Sequence, residues 1–415
     1  MPHNFSAPEL LRGRTAIFGT FATSGFTAGI WAASLPALDQ RMGLGEARLG
    51  TVLLSIAAAA LVSALITGRL CDRYGSRAVL LFAGPLCAIS LVGPTLATDF
   101  TGLIAFAIVY GTSQGVLEVS MNVNSVELET AYDRPILSSF HGSWSLGSAA
   151  AGGATALAVG LDIGAQAIVL GGIALCLAAH AAFNHRALAF HAKPDPRPST
   201  GQQKTVTRSP LTFLLVGLIA VLACAGHVTE GAIYDWANIF AVQELNATDA
   251  LAPLSLTVFA AAMTIARFLG DAVRSKLGSE RTLVLSGVLS ASGYTIALVS
   301  PHWGGLPAAL AGWTITGLGL SIIVPVLFGA VGAAGGSGRD LALVSTFGGF
   351  GLLIGPALIG YLAHATDLAT ALIIPGVLTI AFLTVGPFAL KRLRHIEDAR
   401  KNDKFSDEPE PAISR

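Results

Sequence analysis

Four polar residues stand at helical spacing inside a long apolar stretch of the chain: Gln114, Glu118, Asn122 and Ser125. Steps of i, i+4, i+8 and i+11 put all four on one face of a helix. A carboxylate at membrane depth is costly when charged, so Glu118 can take up and release a proton as access to it changes sides, or bind a solute. The competing assignment is a structural hydrogen bond to a neighbouring helix. Glu118 falls roughly 16 residues into its helix, about 24 Å along it at 1.5 Å per residue. Glu127 and Glu129 follow nearer the surface and are expected to be solvated.

A second constellation is His227, Glu230, Tyr234 and Asp235, with Asn238 beyond, on one broad polar face. Glu230 is the deeper carboxylate and a second candidate for proton coupling. Asp235 beside Trp236 is either a ligand or a mark of the membrane interface, where Trp is enriched. Thr20, Ser24, Thr27 and Trp31 form a hydroxyl line ending in an indole, which suits a hydrated cavity; bonding of the hydroxyls back to their own helix carbonyls is the plain alternative. His141, Ser145 and Ser148 share a face with Trp144 alongside. Trp313 lies among Gly312, Gly317 and Gly319 with Pro325 following, a helix that must bend or pack closely. The expected substrate-binding set is therefore Thr27, Trp31, Gln114, Asn122, His141, Trp144, His227, Tyr234, Asp235 and Trp313, with Glu118 and Glu230 for protons.

The elements that hold these residues are set by composition. Of 415 residues 53% are hydrophobic and 12% charged, and mean hydropathy is +0.66. A soluble chain of this length would need more charge at its surface, and a disordered one far less hydrophobicity. Spans of about 20 apolar residues are required to cross a bilayer as helices. Twelve occur, near 15–37, 49–69, 78–98, 102–126, 137–159, 164–188, 211–240, 252–270, 282–300, 304–332, 340–363 and 367–390. The expected organisation is an N-terminal six-helix bundle (1–190), a Pro-, Ser- and Lys-containing linker (191–210), a C-terminal six-helix bundle (211–390) and a charged tail (391–415) that frays after a helical turn or two. With both termini cytoplasmic, only Arg41 and Arg48 among the basic residues fall on the far side, which sets the orientation in a bacterial inner membrane. The N-terminus lacks the order of a cleaved signal peptide.

The halves repeat. Gly68-Arg-Leu-Cys-Asp72-Arg73-Tyr-Gly75-Ser-Arg77 follows the second span, and Arg267-Phe-Leu-Gly270-Asp271-Ala-Val-Arg274 follows the eighth, about 200 residues later. Gly68, Leu70, Asp72, Arg73, Gly75 and Arg77 match position for position the G-x-L-x-D-R-x-G-x-R signature of the major facilitator superfamily, which the whole chain resembles. That resemblance implies two six-helix bundles related by a pseudo-two-fold axis along the membrane normal. It also implies that Gly68, Asp72, Arg73, Gly75 and Arg77, with Arg267, Gly270 and Asp271 of the degenerate copy, control the change of conformation. Glu118-x-x-Met121-Asn122, Phe140-His141-Gly142 and Glu230-Gly231 with Asp235-Trp236 are similar to a bacterial branch that includes the rhizopine permease. The R-x-x-x-G-x-G and G-P motifs of drug antiporters are missing from the fourth and fifth spans, and the sugar-porter P-E-S-P-R from the sixth.

Function classes narrow accordingly. A membrane enzyme would need a nucleophile–base pair or metal cluster, whereas His180 and His185 do not share a helical face and Cys71, Cys87, Cys176 and Cys224 are scattered. No metal, cofactor or nucleic-acid partner is expected, and no phosphate-binding G-x-x-x-x-G-K-[ST] loop points to ATP. The expectation is a monomeric secondary transporter in the lipid bilayer moving a small sugar-, inositol- or amine-like solute by proton symport. Proton-coupled efflux of a drug or metabolite is the alternative.

Overall fold

The computed structural model describes residues 5–132, 136–189, 210–333 and 338–406. The 191–210 linker lies outside them apart from Pro210, as does the end of the tail from residue 407. The described chain is built from α1 (Ala7–Met42), α2 (Gly45–Tyr74), α3 (Ser76–Ser90), a single turn α4 (Gly93–Leu96), α5 (Phe100–Tyr132), α6 (Leu137–Gly160) and α7 (Ala165–Phe183) in the first half. The second half has α8 (Pro210–Leu245), α9 (Leu254–Val299), α10 (Gly305–Ala333), α11 (Gly338–Ala365), the turn α12 (Leu368–Ala371) and α13 (Ile373–Ser406).

All twelve expected spans are present, with two adjustments. The eighth and ninth run together as α9, broken only at Gly278 (φ 77°, ψ 161°), a backbone state that L side chains rarely adopt. Gly75 (φ 83°) makes the matching turn between α2 and α3, so the internal repeat of the sequence reappears as a repeated glycine corner. The tail does not fray early: α13 continues to Ser406, and Arg394 pairs with Glu280 at 3.1 Å beside the Gly278 corner. Nine segments among the described residues are long and apolar enough to cross a membrane by hydropathy alone. The remaining three are the 17-residue stretch Leu254–Gly270 and the Gly-, Ser- and Thr-rich α1 and α6.

Within the first half α1 packs on α6 and α7, and α5 on α2 and α3; within the second α8 packs on α11 and α13, and α9 on α10. Small residues let the backbones meet, since in a bilayer helix association rests on close packing rather than on a hydrophobic drive. A Cβ on Gly25 would collide with the Trp144 carbonyl, and one on Gly147 with that of Ala22. The halves meet along two reciprocal seams, α2 against α11 and α6 against α9, with α1 touching α8.

These seams close one end of the molecule. At the end away from the termini, Gln40 donates to Asp249 and Gln243 to Glu46 (both 3.2 Å), and the Thr51 and Tyr361 hydroxyls lie 3.0 Å apart. Gly50 and Gly360 bring α2 and α11 into backbone contact there. Asn238, fully buried, donates to the Ala32 carbonyl at 3.3 Å and accepts from the Leu256 N–H at 3.2 Å, joining α8, α1 and the first turn of α9. Arg41 reaches the carbonyls of Pro94 and Ala97, and Arg48 lies over the Phe100 ring.

Candidate functional site

Between the halves lies a cavity of about 400 Å³. From α5 it takes Tyr110, Gln114, Glu118, Met121 and Asn122; from α1, Phe21, Ala28, Trp31 and Ala32; from α6, His141 and Trp144. The second half supplies His227, Glu230, Tyr234 and Asp235 from α8, Arg267 from α9, and Leu352 and Pro356 from α11. Of the polar residues spaced along the fourth and seventh spans, Gln114, Glu118 and Asn122 and, facing them from the other half, His227, Glu230, Tyr234 and Asp235 line the cavity, whereas Ser125 is buried against its own helix and Asn238 at the closed end. A second space of about 320 Å³ shares His141, His227, Glu230 and Arg267 with the first and continues toward the end bearing the termini, past Leu137, Arg274 and Pro325. The site is sealed at one end by the α2–α11 and Asn238 contacts and communicates with the other.

Glu118 is exposed to this cavity and Asp235 is half-buried; neither has a hydrogen-bond or ion-pair partner among the described residues. Glu230 differs. Its carboxylate lies 3.2 Å from the Arg267 guanidinium, which also donates to the Ser145 hydroxyl and the His141 carbonyl. Arg267 therefore ties α9 and α8 of one half to α6 of the other in the middle of the molecule. His227 holds its Nδ1 2.8 Å from the Ala223 carbonyl, so that nitrogen carries hydrogen. His227 is also close enough to Glu118 to act on it electrostatically across the cavity. Gln114 accepts from the Cys87 thiol through Oε1, and Asn122 donates to the Glu118 carbonyl, which fixes both amides.

The aromatic residues form two pairs on the wall. Trp31 stacks on Tyr110 with centroids 5.1 Å apart and planes 15° apart. Trp144 lies 5.4 Å from Tyr234, which is braced edge-on by Phe259. His141 meets Phe21 edge-on at 5.3 Å.

Several expectations are corrected. Thr27 does not face the cavity: it is fully buried, donates to the Thr23 carbonyl and lies 3.4 Å from the Cys176 sulfur on α7. Thr20 likewise turns to Asn184, so of that line only Trp31 reaches the site. Trp313 is fully buried in the core of the second half, edge-on to Tyr294 at 5.2 Å and Phe240 at 6.2 Å, because the Gly-rich face of α10 packs on α9. The tenth span contributes Leu320 to Pro325 to the open end instead. Asp235 is no interface marker, since Trp236 beside it is fully buried. Glu129 is not merely solvated; it accepts the Ile136 and Leu137 N–H groups at 2.6 and 2.9 Å and caps α6. Glu127 accepts from Ser76 at 2.5 Å.

The conformational residues divide. Asp72 and Arg73 are exposed at the end bearing the termini, Arg73 lying over the Tyr74 ring at 5.3 Å, and Arg77 donates to the His185 carbonyl at 2.8 Å. Gly68 has open space around it. In the second copy Arg267 belongs to the cavity rather than to the loop, and Gly270 to the open space beside it. The side chain of Asp271 lies outside the described residues. Tyr110 and Arg267 are among the lining residues that the sequence left unassigned to the site; Tyr110 stands four residues before Gln114 and so continues the same helical face.

A membrane-spanning bundle of two like halves, closed at one end and open at the other onto a polar cavity between them, is the architecture of a solute carrier. The chain belongs to the Major Facilitator Superfamily, whose family profile matches residues 16–336 and 233–414. It is 29% identical over 371 residues to an uncharacterized MFS-type transporter of Yersinia pestis, covering 89% of this chain and 93% of that one. It is 28% identical over 364 residues to the membrane protein MosC of Rhizobium meliloti, covering 86% of each. Among solved structures, a bacterial homologue of the human lysosomal transporter Spinster in an inward-facing, unoccupied conformation superposes with a TM-score of 0.68 at 14% identity, over 98% of this chain and 100% of that one. The nucleoside transporter NupG superposes with a TM-score of 0.65 at 15% identity, over 93% and 98%. These last two likenesses bear on the fold.

Proposed function

We propose that the chain is a proton-coupled symporter of a small sugar-, inositol- or amine-like solute, working by alternating access, with Glu118 as the group that carries the proton. The observation that supports this is the contrast between the two candidate proton carriers: Glu230 is paired with Arg267, whereas Glu118 stands on the cavity wall without a partner among the described residues. A carboxylate without a fixed ion-pair partner, in a site that opens to alternate sides, can load and discharge a proton. The distribution of basic residues supports a cytoplasmic location for the termini, the Asp72 loop and the open end of the cavity in a bacterial inner membrane. In this arrangement Asp72 helps latch the opposite conformation, in which the end bearing the termini is shut. The protein acts as a monomer, since each cavity is completed by one chain.

Glu118→Gln mimics the protonated acid and tests the assignment. With a solute identified by its effect on melting temperature, the variant should bind and exchange solute across the membrane but not accumulate it against a gradient. Solute added to cells with the unaltered protein should turn the medium alkaline, and should not do so with the variant. Acidification of the medium instead would establish antiport, and accumulation by Glu118→Gln at the unaltered level would move the proton to another group.

A further inference from the structure

We infer that the cavity selects small organic monocations, with a protonated amine held against Asp235 on the aromatic wall; this rests on the transporter reading of the same cavity and names its substrate class. The charged groups lining the cavity are Glu118, Glu230, Asp235 and Arg267. The guanidinium is committed to Glu230, Ser145 and the His141 carbonyl, so the one lining Arg is neutralised by one carboxylate and two acidic groups remain. Reserving Glu118 for the proton leaves Asp235, half-buried and without a partner among the described residues, as the counter-ion for the solute.

The surroundings of Asp235 suit an ammonium group. Tyr110, stacked on Trp31, lies within electrostatic reach of Asp235, and Tyr234 is its chain neighbour on α8. Electron-rich Trp and Tyr faces attract a cation, and more so in a desolvated site. Trp31 and Tyr234 are each more than nine-tenths buried and form part of the cavity wall. An ammonium has three donors and no acceptor, which matches the Asp235 oxygens, unpartnered among the described residues. An anionic solute would instead meet the Asp235 carboxylate, while the one lining Arg is already held by Glu230, so the same residues select against acids.

The test reads cavity charge without requiring transport, so it stands or falls separately from the Glu118 counterflow result. In a background with Cys71, Cys87, Cys176 and Cys224 replaced, Ala57→Cys places a thiol on the α2 wall of the cavity and Ser275→Cys places one on the exposed surface of the open end. Each is modified with the ethylammonium, hydroxyethyl and ethylsulfonate methanethiosulfonates. The ammonium-to-sulfonate rate ratio at Ala57→Cys should exceed that at Ser275→Cys by about tenfold or more, as in clefts lined by one sign of charge. Asp235→Asn should lower the ratio severalfold, and tyramine but not 4-hydroxyphenylacetate should slow the modification. Equal ratios at the two positions, or a preference for the sulfonate in the cavity, would overturn cation selection. Equal protection by tyramine and 4-hydroxyphenylacetate, or none by either, would overturn docking at the aromatic wall.

Discussion

Removing the guanidinium of Arg267 should do more damage than removing any single carboxylate of the cavity. At 3.2 Å from Glu230 and an effective dielectric of about 20, the Coulomb attraction is about 5 kcal/mol. Both side chains keep roughly a fifth of their surface exposed (19% and 18%), and taking them out of water offsets part of that gain. A net coupling of about 1–3 kcal/mol is the expected remainder. Arg267→Gln also loses the donors to Ser145 and the His141 carbonyl, the central tie between the halves, so its total cost should reach about 2–4 kcal/mol. The assay is a double-mutant cycle of Arg267→Gln, Glu230→Gln and the pair, followed by equilibrium unfolding in mixed micelles. The double variant should be more stable than the sum of the singles predicts, because Glu230→Gln relieves the uncompensated charge that Arg267→Gln leaves. Arg267→Lys should recover only part, since an ammonium cannot reproduce the planar fork that serves Glu230 and α6 together. Additivity within about 0.5 kcal/mol would refute the reasoning and leave the ion pair a passive contact.

Asp72→Asn should leave abundance and the stability of the present conformation unchanged, because Asp72 is exposed here without a partner among the described residues, yet slow alternation; an unaltered transport rate would reduce the loop to a topological role. Asn238→Ala strips two buried hydrogen bonds from the closed end and leaves the Leu256 N–H unpaired, a cost of about 1–3 kcal/mol. It should raise labelling of cavity cysteines from the side away from the termini, and unchanged labelling would show that the seam is held by packing alone. A cysteine at residue 200 on a Cys-less background should resist an impermeant reagent in intact cells; labelling from outside would invert the proposed topology.

How far the sequence could be read depended on what each residue type reveals about its own surroundings. A carboxylate has few ways to be satisfied within its own helix, so the spacing of Glu118 with Gln114 and Asn122, and of Glu230 with His227 and Asp235, pointed to the wet side of α5 and α8. Hydroxyls carry much less information. Thr20, Thr23 and Thr27 each bond back to a carbonyl four residues earlier, so they sit equally well against α7 as beside a cavity. The face of α1 that does line the cavity runs through Phe21, Ala28 and Ala32, with no polar residue to announce it. Trp313 misled for a related reason: an indole among glycines fits a close helix crossing as well as a binding site, and here Tyr294 and Phe240 enclose it.

Arg267 shows why helix ends matter more than residue types at such a site. A basic residue followed by Gly270 and Asp271 resembles the end of a span, and in the first half the equivalent motif does lie at the surface. The second half keeps helical geometry past Gly270 to the corner at Gly278. Arg267 is 267 − 254 = 13 residues beyond the start of α9, about 20 Å at 1.5 Å per residue, which puts it at mid-depth rather than at the headgroups. Counted back from the matching corners, Arg267 stands 11 residues before Gly278 and Ala64 stands 11 before Gly75, so this cation has no counterpart in the first half. The first half leaves Asp72 and Arg73 exposed at the open end, whereas the second adds a cation at mid-depth that pairs with Glu230 and binds α6. That addition sets the charge of the cavity: with Arg267 tied to both halves, Glu118 and Asp235 are the groups left to answer a proton and a solute.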